Sequence, residues 1–302
     1  MSVLTLAANG HSPFSDIIVD PRLTADERHR VYSLLTAMTD KELGVFFKID
    51  RHGELFRFLA GPSMVGAGAR SLGLKPGLKT PVIHIDRDWD AYWASRPRKL
   101  KKSLNNKLNR FHKHPSFHID NEVITAWDQP VIQQLIEVSA RSWKAGIGND
   151  LESRAEARLF LKGLIEAFGS EGHVNAWVLS DAGRPVAFEL HLVLDGIVYP
   201  IRADFDDRYR AHSPGSVLEY TILKNLFESG AATEYYTCAD DYWYLSNWTS
   251  DYREHCTVES FGRGPRLRWL YFVEYSVIPR VKRLLRMEDR RQRIPDRTRG
   301  SA

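Results

Sequence analysis

Residues 204–216, Asp-Phe-Asp-Asp-Arg-Tyr-Arg-Ala-His-Ser-Pro-Gly-Ser, lead from an expected strand into an expected helix. A helix start presents backbone N–H groups without helical partners and the positive end of the helix dipole. Ser213, Gly215 and Ser216 at that start, with Arg208 and Arg210 just before it, therefore suit an anion such as a pyrophosphate. Ser-Pro-Gly is equally an ordinary way to open a helix, because Pro fits the first turn. Glu189 and His191 alternate on one expected strand, so their side chains share a face. A carboxylate and an imidazole converging there could take a proton from an amine or hydroxyl. Alternatively they form the solvent side of a half-buried strand whose Phe188, Leu190 and Leu192 face the core. Arg202 and Asp204 share a face at the end of the following strand. Asp240 and Asp241 end another, ahead of Tyr242, Tyr244 and Trp248; acids beside aromatics suit a pocket floor and lid, or a helix cap. Ser139, Ser142, Trp143 and Lys144 sit near a helix end, where Lys144 could simply complement the dipole. No Gly-x-Ser-x-Gly, Walker A, Rossmann or His-Glu-x-x-His motif occurs, which leaves serine-hydrolase, nucleotide-kinase and zinc-protease chemistry without support.

Periodicity and turn chemistry supply the elements that must position these residues. Residues 24–40 read as a helix with Thr24 and Glu27 at capping-box spacing. Residues 43–49, 55–59 and 81–85 read as strands around a glycine-rich loop at 61–77. Residues 96–114 carry eight Lys/Arg and no acid, with Leu100, Leu104, Leu108 and Phe111 on one helical stripe. The opposite, basic face suits phosphate, nucleic acid or anionic lipid, or is a solvated helix surface. Helices at 131–144 and 154–169 precede strands at 174–179, 185–194 and 197–203. Asp195-Gly196 has type I′ hairpin chemistry and 181–184 forms a second short turn, so these strands should make an antiparallel meander. A helix over 217–228, strands at 233–238 and 256–261, and a short aromatic segment between them complete an α+β layout with a splayed, mostly antiparallel sheet flanked by helices.

Composition bounds the rest. The 302 residues, 43% hydrophobic and 26% charged with 8 Trp, 12 Tyr and 14 Phe, make a globular chain of about two domains and exclude a disordered or coiled-coil one. Cys238 and Cys256 lie in no disulfide-scaffold or zinc-ligand spacing, so no metal is expected and a reduced, cytoplasmic setting fits best. The first 15 residues lack the pattern of a signal peptide, and no window of 18 apolar residues suggests a membrane span. Charge is uneven: residues 263–302 hold 12 Lys/Arg against 4 Asp/Glu, leaving a net −4 for residues 1–262. Residues 266–286 mix Leu, Trp, Tyr, Phe, Val and Ile with basic side chains, and so read either as a peripheral contact with an anionic (inner) membrane surface or as a helix docked on the domain with a break near Pro279. An Arg-rich disordered end is expected after Met287.

Taken in order, 92–102 opening the basic helix, Ser142-Trp-Lys144, Gly183-Arg-Pro-Val-Ala-Phe188, Tyr209 to Gly215 and Tyr244 to Trp248 resemble the CelD-like acyltransferase branch of the GNAT superfamily, relatives of the FemAB aminoacyl transferases. The resemblance runs from about Trp89 to Phe261 and departs from the family at Leu245, where Lys usually follows the Tyr. It implies two tandem GNAT-like units, an N-terminal one over 1–124 that includes the basic helix and a donor-binding one over 125–262, followed by a basic amphipathic helix and tail over 263–302. It further implies an acyltransferase, most naturally an N-acyltransferase, that moves an acyl group from acyl-CoA (acetyl-CoA or longer) to an amine or hydroxyl on a small-molecule, saccharide or peptide acceptor. The donor pyrophosphate would lie on Arg208, Arg210, Ser213, Gly215 and Ser216. Catalytic roles would fall among Glu189, His191, Asp204, Asp240 and Tyr244, and substrate contacts among Trp143, Lys144, Tyr199, Arg202 and Trp248. Two alternatives remain open: an aminoacyl-tRNA donor held by the basic helix and tail, and a non-catalytic GNAT-fold scaffold.

Overall fold

The computed structural model describes residues 2–8, 12–38, 41–61, 71–240, 242, 244–285 and 292–293. In chain order the elements are β1 Val3–Leu4, α1 Ala25–Met38, β2 Leu43–Asp50, α2 Glu54–Leu59, β3 Ser71–His84, α3 Trp89–Ser95, α4 Arg98–His112 and β4 Phe117–Val123. They continue with α5 Pro130–Ala140, α6 Ala155–Phe168, β5 Val174–Asp181, β6 Arg184–Leu194, β7 Ile197–Phe205, α7 Pro214–Ser229, β8 Glu234–Tyr236, β9 Tyr252–Phe261, α8 Pro265–Phe272, α9 Ile278–Leu284 and β10 Gln292–Arg293. The chain divides into two compact units, one of residues 1–80, 239–241 and 252–302, the other of residues 81–238 and 242–251.

In the first unit, β2 pairs antiparallel with β9 and parallel with the short β1. Thr24 and Glu27 form the expected capping box: the Thr24 N–H donates to Glu27 Oε2 at 2.8 Å and the Glu27 N–H to Thr24 Oγ1 at 3.3 Å. Tyr32, Phe46, Ile49, Leu55, Phe58, Leu59 and Val258 close one apolar cluster, and Leu43, Val45, Phe261, Leu267 and Tyr275 another. Residues 55–59, expected as a strand, are helical: Leu55, Phe58 and Leu59 are buried at helical spacing, which a short apolar run cannot reveal by alternation alone. Of the expected glycine-rich loop, residues 62–70 lie outside the described residues, and the chain is already in β3 at Ser71. Asp241 and the Arg-rich stretch after Met287, apart from 292–293, also lie outside them.

The second unit carries the meander. β5, β6 and β7 pair antiparallel through two tight turns, Ala182-Gly183 (φ 48° and 79°) and Asp195-Gly196 (φ 49° and 75°). Positive φ at both turn residues matches the right-handed twist of the strands. β4, absent from the sequence expectations, pairs antiparallel with β5 over its whole length; its exposed polar residues are those of an edge strand and hide its alternation. β8 runs parallel to β7 but pairs only at Ile197–Val198, so residues 199–205 of β7 diverge from it. That divergence is the expected splay, and α7 is the crossover between the two strands. α5 and α6 cover the sheet through Val131, Leu135, Val138, Leu161 and Ile165, which pack on Val174, Val178, Phe188 and Leu190.

These units cut the chain elsewhere than at 124 and 262. β9 belongs with β2 because their ladder is long-range, and the basic helix α4 belongs with the second unit, where Lys107 Nζ donates to Ser216 Oγ at 2.8 Å. Among the described residues no helix is long and apolar enough to cross a membrane.

Candidate active site

α7 begins with Pro214 after Ser213, whose φ of 55° puts a non-glycine residue in the left-handed region. Pro214 has no N–H, and the Ser216 and Val217 N–H groups turn back to the Ser213 carbonyl at 3.1 and 3.2 Å, so Gly215 N–H is the donor this helix start offers to a ligand. A Cβ at Gly215 would meet no atom within 4 Å, so the space before the helix is open. It forms part of a cavity of about 600 Å³ lined by Lys107, Lys144, Glu189, Arg210, Gly215 and Glu219 among others. A second cavity of about 310 Å³ runs along α4, lined by Lys99, Ser103, Leu104, Asn247 and Trp248. Lys107, Ser216, Glu219 and Tyr244 line both, so the two cavities meet at these four side chains.

The electrostatics centre on acids. Glu219, one helical turn below Gly215, is half-buried, and burial together with the neighbouring Glu189 charge pushes its carboxyl up to about 8. The Trp248 indole N–H donates to it and works in the opposite direction. Glu189 is buried: Tyr235 OH donates to its Oε1 at 2.5 Å, and His191 Nε2 lies 2.8 Å from the same oxygen. The solvent-face alternative for Glu189 and His191 is thereby overturned, because α7 and β8 cover the face opposite Phe188 and Leu190. Burial and the Glu219 charge raise Tyr244 to about 12.

Asp204 is the hub of a separate buried cluster. Ser139 Oγ donates to its Oδ2 at 2.7 Å, Arg202 Nε donates to the same oxygen at 2.7 Å, and Lys144 Nζ lies 2.5 Å from Oδ1. Arg202 also donates to the Asn149 carbonyl at 2.6 Å and Lys144 to the Ala203 carbonyl at 2.7 Å. Burial pulls the Lys144 ammonium below its ordinary value, and the Asp204 charge counters it. With both oxygens held by cations and a hydroxyl, Asp204 is a structural tie between α5 and β7 rather than a free proton acceptor.

The expected site residues therefore separate. Glu189, Asp204, Tyr244, Arg210, Ser213, Gly215, Ser216, Trp143 and Lys144 line the larger cavity, and Tyr244, Ser216 and Trp248 the smaller. Arg208 is tied to the buried Asp206 at 2.6 Å and lines neither; Arg210 lines the cavity while paired with Asp207 at 2.6 Å. His191 stands behind Glu189, Arg202 behind Asp204, and Tyr199 packs on Tyr236 with ring centroids 5.7 Å apart. Asp240 belongs to the first unit, is exposed and lines neither cavity. Leu245, which replaces the usual Lys, is buried in the second unit, while Lys107 supplies a cation to both cavities. Glu219 and Tyr235 were not among the expected site residues, and Lys107 was expected only as part of the basic face of 96–114. The available signal for Glu219 was a lone carboxylate four residues after Gly215, in the apolar run Val217 to Leu223.

The model of the acetyltransferase (GNAT) domain family matches residues 98–245, a span that takes in α4, α7 and the lining of the larger cavity, and all of the smaller cavity's lining but Asn247 and Trp248. No curated protein matches the chain. Among solved structures, the C-terminal (DUF2156) domain of a proposed lysylphosphatidylglycerol synthetase from Agrobacterium fabrum superposes with a TM-score of 0.53 at 12% identity, over 84% of this chain and 79% of that one. L-PGS from Bacillus licheniformis gives 0.52 at 13% identity over 85% and 80%, and FemX gives 0.52 at 11% over 82% and 78%. At such identities the likeness is one of fold. Residues 98–245 match the acetyltransferase (GNAT) domain family, and the chain shares its fold with FemX and L-PGS.

Proposed function

We propose that this protein transfers an acyl group from acyl-CoA to an amine acceptor, with the donor in the larger cavity and the acceptor in the smaller. The observation that carries this reading is the meeting of the two cavities at Lys107, Ser216, Glu219 and Tyr244. Direct transfer needs donor and acceptor within reach of one proton-accepting group, and Glu219 is the titratable carboxylate common to both. The open cradle at Gly215, its N–H, and the cations Lys107 and Arg210 fit the phosphates of coenzyme A. The donor supplies an acyl thioester. Glu219 takes a proton from the attacking amine, Trp248 orients the Glu219 carboxylate through its indole N–H, and Tyr244 stands at the junction to protonate the departing thiolate. Glu189, held by Tyr235 and His191, keeps a second negative charge near Glu219 and so maintains its proton affinity.

Thermal-shift titration with acetyl-CoA, longer acyl-CoAs and free CoA tests the donor, since a ligand that binds only the folded state raises its stability, by about 2.7 kcal/mol at a hundredfold excess over Kd. Gly215→Trp fills the cradle without a clash at Cβ, so it should abolish the shift while leaving the unliganded melting temperature close to wild type. No shift at millimolar ligand overturns the acyl-CoA reading.

A second reading, an aminoacyl-tRNA donor, draws on α4, where Arg98, Lys99, Lys102 and Arg110 are exposed and no acid interrupts them. tRNA binding that weakens steeply with salt, in a protein that ignores CoA, would favour it.

A further inference from the structure

The segment after β9 presents an apolar stripe that its own geometry assembles. α8 anchors to the first unit through Leu267, and Tyr275 does the same in the next turn, its hydroxyl donating to Glu259 at 2.7 Å. Residues Val273–Val277 form a π-helical turn before α9. Pro279 explains the widening: it lacks an N–H, and its ring would press on the carbonyl of residue 275 in a regular α-helix. One extra residue in that turn rotates everything after it by about 100° relative to an unbroken helix. That rotation brings Val277, Val281 and Leu284 into line with Trp269 and Phe272, on the side opposite Leu267 and Tyr275. All five are exposed, Trp269 at 67% and Leu284 at 83%. Exposed Arg266, Arg268, Arg280 and Arg283 border the stripe, and Glu274 is the one acid between Pro265 and Leu285.

We propose that residues 265–285 are a membrane-docking face that seats on an anionic lipid bilayer, the apolar stripe entering the acyl boundary and the arginines meeting lipid phosphates. Charge selects the bilayer over a second copy of the chain. A two-fold contact through this face would set arginine against arginine, whereas an anionic leaflet is complementary to them. Large hydrophobic side chains on one side and basic residues at the margins are the pattern of an interfacial helix. The proposal is independent of the donor and acceptor assigned above.

Co-sedimentation with vesicles tests it, using phosphatidylcholine alone and phosphatidylcholine mixed three to one with phosphatidylglycerol, at low and high salt. The full chain should bind the mixed vesicles about tenfold more tightly than the neutral ones, and the difference should shrink at high salt. Trp269→Ser/Leu284→Ser should weaken binding to the mixed vesicles about tenfold. Arg266→Gln/Arg283→Gln should weaken it there and not on neutral vesicles. All four side chains are exposed, so each variant should melt with the wild type. Equal binding to both vesicle types, binding indifferent to Trp269→Ser/Leu284→Ser, or a wild-type dimer that this variant abolishes without any vesicle binding would each overturn the proposal.

Discussion

Glu219 shows how a side chain acquires chemistry from its surroundings. Burial and the Glu189 charge raise its carboxyl to about 8, so in the proposed reaction kcat/KM should climb with pH, reach half its plateau near 8 and level off above it. Glu219→Gln should lower kcat/KM by about 10²–10⁴-fold and remove that limb, which a pH–rate profile of both proteins would measure. The same shift has a sign for stability. The folded state holds a proton on Glu219 that the unfolded chain releases above its ordinary value of 4.5, so stability falls as pH rises from there to about 8. Glu219→Gln, neutral throughout, should therefore be about 2 kcal/mol more stable than wild type at pH 9 and nearly equal to it near pH 4.5, by denaturant midpoints. Asp204 answers to a different logic. Asp204→Asn would leave Arg202 and Lys144 facing each other without their counter-charge, at a cost of about 3 kcal/mol in the same assay. At this scale the sequence singled out Gly215, Ser216, Tyr244 and Glu189, all of which line the larger cavity. Glu219 was not among them, because a lone acid in a helix gives no hint of what lies across from it until α4 and Trp248 are in place.

At the scale of elements, local signals held where the physics is local. Asp195-Gly196 demanded positive φ at both positions and took it, and Thr24 with Glu27 closed a capping box. Gly196 has φ 75°, and a Cβ there would lie 3.2 Å from Thr233 Oγ1. Gly196→Ala should thus cost about 1–2 kcal/mol, read from thermal melts, by straining the turn that sets the β6–β7 register. Local signals failed where context decides. Residues 117–123 were too polar to read as a strand until β5 offered them a ladder, and 55–59 became helical because burial against Phe46 and Ile49 rewards their i, i+3, i+4 spacing. Ser213 is the intermediate case. Its neighbours announced a helix start, but its left-handed backbone, which leaves Gly215 N–H as the outward donor, is visible only in the fold.

Across the whole molecule, the first unit is assembled from chain segments some two hundred residues apart, since β2 and β9 pair as Leu43↔Phe261 through Asp50↔His255. Phe261 is almost fully buried against Leu43, Val45, Leu267 and Tyr275. Phe261→Ala should cost about 3–5 kcal/mol and lower the melting temperature of that unit first, which limited proteolysis during a thermal ramp would detect as early cleavage among residues 1–80. Local sequence alone specifies a globular α+β chain, the meander and its turns, the helix start at 213–216 and the concentration of positive charge after residue 262. Each of these is written in neighbouring residues, through periodicity, turn stereochemistry or charge. It takes the folded chain to set α4 against the start of α7, to join two cavities at Glu219, to lock Asp204 between Arg202 and Lys144, and to align Trp269 with Leu284 through a π-turn. Those facts depend on long-range pairing and on burial, and no local pattern encodes which distant side chain will close a cavity or take a charge out of water.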